Sequence, residues 1–291
     1  MAATIIDGKA IAEGLYQTLR ERVGRLQGEG ISPCLAVLLV GEDPASLSYV
    51  RAKQRALADL NMEGRDIRLP EETTEEELLR RISSLNEDTS VHGILVQFPL
   101  PPHIRTERIV NALEPSKDVD CFHPLNLGKL LRGQEGFLPC TPRGIIFLLS
   151  ELKIPLKGKN IVILGRSNIV GKPLALLLAR REQNATVTIC HTGTKDLGFH
   201  SRQADILIAA AGSAGLVSAD MIKEGAVVID VGVNRVADLK AKRGYRLKGD
   251  VVFAEAAEKA SVISPVPGGV GPMTIAMLMQ NVVDSAEGIF T

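Results

Sequence analysis

Apolar positions along the chain follow two alternating patterns. Short continuous apolar runs, rich in β-branched residues and bounded by turn residues, predict strands that are buried on both faces of a sheet. They lie at residues 34–40, 93–98, 160–164, 186–190, 206–209 and 227–231, with a weaker run at 67–69.

Between these runs, apolar residues recur at helical spacing. Asp7 is a candidate N-cap for the first helix, and Thr74 with Glu77 forms a capping-box pattern. Strands that alternate with helices predict an α/β fold with parallel sheets and helices on both faces. The predicted helices cover residues 8–26, 46–60, 74–85, 105–113, a segment from 142, a segment opened by Gly171 and Pro173, and 272–286.

Two stretches carry neither pattern. Residues 114–144 are polar, rich in glycine and proline, and predict an irregular loop of about 30 residues, a length that is usually functional inside a compact domain. Residues 262–271, VISPVPGGVG, form a second unusual loop. We expect these two loops to contribute to a site.

Length and charge restrict the class of partner. The 291 residues are enough for two domains, each with its own core. The 34 basic and 34 acidic residues cancel, and no dense basic run is present. This balance argues against nucleic acid and anionic membranes as partners, and the absence of Trp argues against a stacking surface for single strands. A small metabolite is the expected partner.

Cysteine usage and the N-terminal pattern indicate the cellular compartment. Cys34, Cys121, Cys140 and Cys190 are widely spaced without a CxxC pair, which indicates reduced thiols rather than a disulfide framework or a zinc site. The first residues lack the pattern of a signal peptide, and no apolar run reaches membrane-spanning length. We therefore expect a cytoplasmic protein with no bound metal.

Residues 159–180, KNIVILGRSNIVGKPLALLLAR, predict a strand, a glycine turn and a helix whose N-terminus can bind a phosphate. Ser167 stands at the middle glycine of the GxGxxG fingerprint, so an ordinary strand-to-helix turn remains an alternative. The next strand ends without the acidic residue that binds the ribose of NAD, and Arg166 can grip a 2′-phosphate. This pattern favours NADP over NAD.

Tyr49 and Lys53 lie one helical turn apart, which puts a phenol and an ammonium on one helix face. The commoner explanation of such spacing is a solvated lysine beside a boundary aromatic. A catalytic Lys53 requires burial or a polar neighbour that lowers its pKa. Gln97 interrupts an apolar strand at its C-terminal end and could be that neighbour. Alternatively, its amide could make hydrogen bonds that only anchor the following loop.

Other polar residues carry weaker signals. Asp118 and Asp120 follow Gln97 along the chain and open the long irregular loop, although carboxylates in such loops are most often solvated turn formers. His123 and His191 lie near predicted strand ends, where single histidines are commonly structural. Position therefore favours the two aspartates over the two histidines.

With these residues in view, the chain resembles the bifunctional methylenetetrahydrofolate dehydrogenase/methenyltetrahydrofolate cyclohydrolase family over nearly its whole length. Several blocks in the family's order are far more specific than any single motif. The blocks are ASLSYVRAK (45–53), GILVQFPLP (93–101), PSKDVD (115–120), PCTPRG (139–144), GRSNIVGKP (165–173), ATVTICHT (185–192) and PVPGGVGPMT (265–274).

The resemblance implies an enzyme of one-carbon metabolism, which feeds purine and amino-acid biosynthesis. It would oxidise 5,10-methylenetetrahydrofolate with NADP and hydrolyse the methenyl product to 10-formyltetrahydrofolate. Lys53 would be the acid/base residue, Gln97 would tune it, Tyr49 would orient the folate and Asp120 would hold the pterin. The implied folate site comprises Tyr49, Lys53, Val96, Gln97, Phe98, Asp120, Pro265, Pro267, Gly268 and Gly269. The implied NADP site comprises Gly165, Arg166, Ser167, Ile169, Thr192 and Val233.

The resemblance also implies an architecture. Residues 1–141 with 272–291 would form a folate-binding catalytic domain, and residues 142–271 a Rossmann-like NADP-binding domain, with the folate in the cleft between them. Members of this family are similar in forming homodimers through the nucleotide-binding domain.

Three departures from the family pattern bear on the site. Cys121 replaces the glycine that usually follows KDVD, which costs strain if the backbone there has a positive φ. Thr192 stands where serine is commoner and keeps the hydroxyl. Two extra residues before Ala185 could shift His191 and Thr192 against a 2′-phosphate.

Two other functions remain alternatives at the level of sequence. A shikimate-type dehydrogenase would also use a lysine, an aspartate and an NADP loop, but gives no reason for the 265–274 block. A non-catalytic nucleotide-sensing module would explain the loop at Gly165 alone.

Overall fold

The computed structural model describes residues 3–238, 240–241 and 244–290. At residues 44–46 and 48 it describes the backbone only, so the side chain of Ser48 in the ASLSYVRAK block lies outside the described part. The chain divides into two compact units. We call Glu13–Cys140 with Ile275–Thr291 the three-stranded unit, and Met1–Ala12 with Thr141–Thr274 the six-stranded unit.

The described residues form eleven strands, most of which coincide with the apolar runs of the sequence. In chain order they are β1 (Thr4–Ile5), β2 (Cys34–Val40), β3 (Glu63–Leu69), β4 (Gly93–Val96), β5 (Asn160–Leu164), β6 (Thr186–Cys190), β7 (Ile206–Ala209), β8 (Val227–Asp230), β9 (Asn234–Ala237), β10 (Tyr245–Lys248) and β11 (Val262–Ile263).

Ten α-helices and one 3₁₀ turn, Ala219–Met221, accompany these strands in the described residues. The helices are α1 (Gly8–Gly28), α2 (Pro44–Asp59), α3 (Glu75–Glu87), α4 (Thr106–Ala112), α5 (Pro124–Leu131), α6 (Cys140–Glu151), α7 (Gly171–Leu178), α8 (Leu197–Ser201), α9 (Phe253–Lys259) and α10 (Val270–Ala286). None of them is long and apolar enough to cross a membrane.

The three-stranded unit contains a parallel sheet in the order β3-β2-β4. All residues of the central strand β2 are buried, as its unbroken apolar run predicts. Its core includes Leu78 and Ile82 of α3 and Ile109 of α4. As predicted, Thr74 caps α3, because its hydroxyl accepts the N–H of Glu77 at 3.2 Å.

The six-stranded unit contains a parallel sheet in the order β1-β11-β8-β7-β5-β6. All neighbouring strands run parallel, so the C-terminal ends of β5, β6, β7, β8 and β11 lie along one edge. The predicted α/β class with parallel sheets is thus confirmed. The antiparallel hairpin of β9 and β10 is an addition that the apolar pattern does not predict.

Two expectations differ from the structure. The stretch 114–144 is not irregular throughout, because α5 begins there at Pro124 and α6 begins at Cys140. The His123 ring nitrogen accepts the N–H of Leu125 and caps α5, and Pro124 suits the first turn because it needs no N–H partner. Strand β1 pairs with β11, so residues 3–12 group with the six-stranded unit rather than with the predicted catalytic domain.

Candidate active site

Lys53 and Gln97 meet in the three-stranded unit. Lys53 lies on α2 with only 9% of its surface exposed, and its Nζ donates to Gln97 Oε1 at 3.0 Å. Gln97 directly follows β4, and its backbone N–H donates to Leu38 O at 2.8 Å. Its own amide donates to Phe98 O at 2.8 Å, which fixes the direction of Oε1. Lys53 is therefore not the solvated helix lysine that its spacing alone would allow.

Asp120 completes an electrostatic cluster with this lysine. Burial lowers the pKa of Lys53, and the nearby Asp120 carboxylate opposes that shift. Burial likewise raises the pKa of Asp120, and Lys53 and a hydrogen bond from the Cys140 thiol oppose it. A lysine whose ammonium is disfavoured can exchange protons near neutral pH. The structure thus brings together three of the predicted catalytic residues, Lys53, Gln97 and Asp120.

Asp118, the other aspartate of the KDVD segment, anchors the loop. It is buried, and its two oxygens accept the N–H groups of Phe122 at 3.1 Å and His123 at 2.8 Å and the amide of Asn126 at 2.8 Å. Burial raises the pKa of Asp118 to about 6. Its bonds hold the turn that follows Asp120, so its role is structural.

The remaining predicted folate residues of this unit range from exposed to buried. Tyr49 is 41% exposed and lies one turn of α2 from Lys53. Val96 is buried at the end of β4. Phe98 is half-buried, and its ring packs against Phe122 with centroids 5.8 Å apart.

The backbone of Cys121 has a positive φ. This is the condition under which a cysteine in place of the family's glycine was expected to cost strain. Its φ is +61°, in the left-handed region that favours glycine. The side chain is fully buried, and its thiol donates to Phe137 O at 3.1 Å. This residue therefore combines an unfavourable backbone conformation with a satisfied buried thiol, directly after Asp120.

The loop 264–269 of the six-stranded unit includes Pro265, Pro267, Gly268 and Gly269 and follows β11. It is tightly folded, since Gly269 N–H donates to Pro265 O at 2.9 Å, and a Cβ added at Gly269 would lie 2.7 Å from that oxygen. Gly268 has φ +111° and open space beside it. Glycine has no side chain, so a ligand can approach the loop backbone closely at Gly268.

The turn after β5 has the geometry of a phosphate-binding loop. Gly165 has φ +129°, and a Cβ there would lie 2.0 Å from Ala210 O. A Cβ at Gly171, where α7 begins, would lie 2.2 Å from Gly165 O. The two glycines thus let the chain pass close to itself and bring the N-terminus of α7 to the sheet edge, which suits a dinucleotide pyrophosphate.

Ser167 and Arg166 take different parts in this turn. The Ser167 hydroxyl accepts the N–H groups of Val170 at 3.1 Å and Gly171 at 3.4 Å, so it shapes the turn. Arg166 is exposed and, in the described part of the chain, has no hydrogen bond or ion pair. A guanidinium without an internal partner is available to an anionic ligand. Ile169 in the same turn is exposed.

The end of β6 keeps a regular position despite the two extra residues before Ala185. Register between β5 and β6 is continuous as far as Leu164 and Cys190, and Gly165 N–H donates to Cys190 O at 2.8 Å. Thr192 is exposed beyond this strand end, and Val233 is exposed beyond β8 on the same sheet edge.

His191 does not act as a free base in the structure. Its Nδ1 accepts the N–H of Gly193 at 3.0 Å, and its backbone N–H donates to the Thr194 hydroxyl at 2.9 Å. These bonds fix the turn after β6. The structure therefore gives His191 a structural role, as its position near a strand end suggested.

Sequence reasoning missed two buried aspartates at the same sheet edge. Asp250 accepts the N–H groups of Ala211, Gly212 and Ser213 at 2.6–2.9 Å. Asp230 accepts the N–H groups of Gly232, Asp250 and Val251 at 2.9–3.0 Å, and burial raises its pKa to about 6. Asp230 ends the apolar run of β8, and an acidic residue at that position was the sequence signal that could have revealed it.

Two features define the class of this protein. One is a glycine turn that brings a helix N-terminus to the edge of a parallel sheet, and the other is a buried lysine that is hydrogen-bonded to an amide at a strand end. Together they are typical of an α/β enzyme with a nucleotide site. Family models agree with this class. The catalytic-domain model of tetrahydrofolate dehydrogenase/cyclohydrolase matches residues 6–120, and the NAD(P)-binding-domain model of the same family matches residues 139–289. The chain belongs to the tetrahydrofolate dehydrogenase/cyclohydrolase family.

Individual relatives agree over the full length. A bifunctional FolD protein of Geobacter sulfurreducens is 56% identical over 285 residues, 98% of this chain and 97% of that protein. The FolD structure from Campylobacter jejuni is 49% identical, has a TM-score of 0.94 and is matched over 99% of this chain and 100% of its own. The Trypanosoma brucei FolD, solved with NADP and an inhibitor, is 40% identical with a TM-score of 0.95, over 99% of both chains.

Proposed function

We propose that this protein oxidises 5,10-methylenetetrahydrofolate to the methenyl form with NADP and hydrolyses the product to 10-formyltetrahydrofolate. The observation that carries the proposal is the buried Lys53 whose Nζ donates to Gln97 Oε1 at 3.0 Å, in a chain of this family. The shikimate-type and nucleotide-sensing alternatives are not favoured, because both matched models are those of the folate family and one is its catalytic domain.

Hydrolysis needs a proton carrier beside the attacking water. In the proposed reaction, water adds to the methenyl carbon and the bond from that carbon to one ring nitrogen breaks. Lys53 takes a proton from the water and returns one to the released nitrogen, and the second proton of the water goes to solvent. Gln97 Oε1 holds the Lys53 nitrogen in place during these transfers, because the Gln97 amide is itself bonded to Phe98 O.

Oxidation needs mainly alignment of the folate carbon with the nicotinamide. NADP, when bound, supplies the hydride acceptor. Gly165 and Gly171 make room for its pyrophosphate, and Arg166 would pair with its 2′-phosphate. The strand end Cys190-His191-Thr192 lacks the acid that an NAD enzyme places on the ribose, which supports NADP as the cofactor.

The folate would be held by groups of known chemistry. The Asp120 carboxylate can bind the ring nitrogens of a pterin, and Tyr49 offers an exposed ring close to Lys53 along α2. Val96 and Phe98 would supply apolar surface at the strand end. In the six-stranded unit, the loop with Pro265, Pro267, Gly268 and Gly269 offers open backbone at Gly268.

One assay tests the two activities separately. The protein is incubated with NADP and methylenetetrahydrofolate, and the absorbances of NADPH and of the methenyl product are followed independently. We expect NADPH to form and methenyl absorbance to rise and then decay. Formation of NADPH with stable methenyl absorbance would show that the protein lacks the hydrolase activity. The absence of both signals would overturn the whole proposal.

We also propose that the protein is a cytoplasmic homodimer that associates through the six-stranded unit. The supporting observations are an edge strand, β6, that carries Ile189 with 36% of its surface exposed, and four buried free cysteines that suit a reducing compartment. Sedimentation velocity should give twice the chain mass, and Ile189→Arg should lower it. Leu131→Arg, a change at a 67% exposed leucine of the three-stranded unit, is the control and should leave the mass unchanged.

A further inference from the structure

Asn281 is a fully buried amide in the middle of the apolar helix α10. Its Nδ2 donates to Val119 O at 2.7 Å and to Leu138 O at 3.0 Å, and lies 3.6 Å from Cys140 Sγ. A buried amide costs free energy unless its hydrogen bonds are made, so these bonds explain its place among apolar residues. They also join α10 to the two chain segments that carry Asp120 and Cys140.

The bond to Val119 bears directly on Asp120. The carbonyl of Val119 and the N–H of Asp120 belong to one planar peptide, so fixing that oxygen fixes the start of Asp120. Cys140 Sγ lies 3.4 Å from the same oxygen. The Val119 side chain is fully buried and packs so close to Gly93 that a Cβ added there would lie 2.8 Å from it.

We propose that Asn281 is a positioning residue for the reaction, which holds Asp120 in register with Lys53 through the Val119 peptide. This inference rests on the proposed function, because it assumes that Asp120 and Lys53 act on the folate. In this arrangement Asn281 acts through the Val119 peptide. It acts by keeping the Asp120 backbone and the Cys140 thiol in one fixed geometry.

The test compares Asn281→Ala with Val283→Ala. Val283 is buried on the same helix, two residues and thus about 200° away from Asn281, so its truncation loses packing without touching the Val119 peptide. At temperatures where both variants are fully folded, we expect Asn281→Ala to lower kcat/KM for hydrolysis by about ten- to a hundredfold. Val283→Ala should change it less than about threefold, and NADP affinity should be unchanged in both.

The pH profile separates positioning from simple loss of stability. The titratable groups that face Asp120 are Lys53 on α2, Cys140 on α6, and Asp118 and Cys121 in its own loop. Displacing Asp120 changes its distance to Lys53 and Cys140. The apparent pKa of one limb of the profile of kcat/KM against pH should therefore shift by about half a pH unit or more in Asn281→Ala. Val283→Ala should keep the wild-type profile.

Each outcome of this experiment is decisive. Equal kinetic losses in Asn281→Ala and Val283→Ala, with unmoved profiles, would overturn the positioning role. If Asn281→Ala does not fold, Asn281→Ser keeps one donor and should show a smaller loss with the same shift of the profile, and a wild-type profile would overturn the inference. Lys53→Met and Asp120→Asn, measured in parallel, test the site itself. Retained hydrolysis in them removes Lys53 and Asp120 from the mechanism and with them the premise of this inference, whereas absent hydrolysis in the wild type rejects the proposed function. Full loss in the two variants with a normal Asn281→Ala enzyme rejects this inference alone.

Discussion

Lys53 Nζ donates to Gln97 Oε1 at 3.0 Å, and this bond joins the middle of a helix to the C-terminal end of a buried parallel strand. The amide of Gln97 is bonded in turn to Phe98 O, so its oxygen cannot rotate away without losing a second hydrogen bond. Burial lowers the pKa of Lys53 by more than the nearby Asp120 carboxylate raises it, so the ammonium is disfavoured relative to its state in water. The arrangement therefore suits proton transfer more than charge pairing.

Lys53→Met should abolish hydrolysis while leaving NADP affinity within about twofold, because the change is confined to the three-stranded unit. It should also lower the free energy of unfolding at neutral pH, because it leaves Asp120 without its cationic neighbour and Gln97 Oε1 without its donor. Single-turnover hydrolysis of the methenyl substrate and urea unfolding measure the two effects. Arg51→Met, at an exposed cation on the same helix, is the control and should change neither. Retained hydrolysis would remove Lys53 from the mechanism.

Arg166→Ala should weaken NADP by about ten- to a hundredfold and NAD by much less, since only NADP offers a 2′-phosphate to the guanidinium. Fluorescence titrations with both reduced cofactors measure the ratio. Arg181→Ala, at another exposed arginine of this unit, should leave both affinities near wild type. An equal loss of the two cofactors would show that Arg166 does not read the 2′-phosphate.

Gly165→Ala should destabilise the protein by about 3 kcal/mol and abolish nucleotide binding, because the new Cβ would overlap Ala210 O in a backbone with φ +129°. Gly158 also has a positive φ, +73°, but has open space around it. Gly158→Ala should therefore cost only about 1 kcal/mol. Chemical denaturation of the two variants measures the difference, and equal losses would mean that the close approach to Ala210 is relaxed at little cost.

Cys121→Gly should be more stable than Cys121→Ala by about 1 kcal/mol, because both variants lose the thiol but only glycine accepts φ +61° without strain. Urea unfolding of the two variants, with wild type as reference, measures this difference. Greater stability of the alanine variant would mean that the backbone here relaxes to a negative φ.

Asp118 should make stability fall as pH rises from about 4 to 6. Burial raises its folded pKa from 3.8 to about 6, so its favourable contribution is complete below 3.8 and is lost as pH rises through about 6. The free energy of unfolding of wild type minus that of Asp118→Asn should thus decrease by about 3 kcal/mol across this window. Urea unfolding at several pH values measures it. A constant difference would place the folded pKa of Asp118 near its ordinary value.

Local pattern predicted most of the fold and part of the site. The buried strands β2 and β5 were readable because unbroken apolar runs are typical of parallel strands. Gln97 was readable because a polar amide interrupts such a run at its C-terminal end. Strand β1 was not readable, because two residues carry no periodicity and its partner β11 is distant in the chain.

The supporting side chains could not be predicted for a related reason. Asn281 bonds Val119 across more than half of the chain, and Asp250 bonds loop N–H groups that a sequence does not pair with it. Such residues are recognisable only when the fold brings their partners to them. Cys121 is intermediate, because the resemblance pointed to a possible positive φ and the structure supplied its value.

The contact between Gly8 and the loop 265–269 has a consequence for recombination among relatives. Gly8 N–H donates to Gly268 O at 3.0 Å, and a Cβ at Gly8 would lie 1.8 Å from Gly269 O. Strand β1, just before Gly8, pairs with β11, just before the loop. The segment around Gly8 and the loop are thus one structural piece, although they lie far apart in the sequence. A chimeric enzyme that takes only one of these two segments from a relative would pair segments from two different proteins at this contact. Exchanging both segments together would preserve the contact.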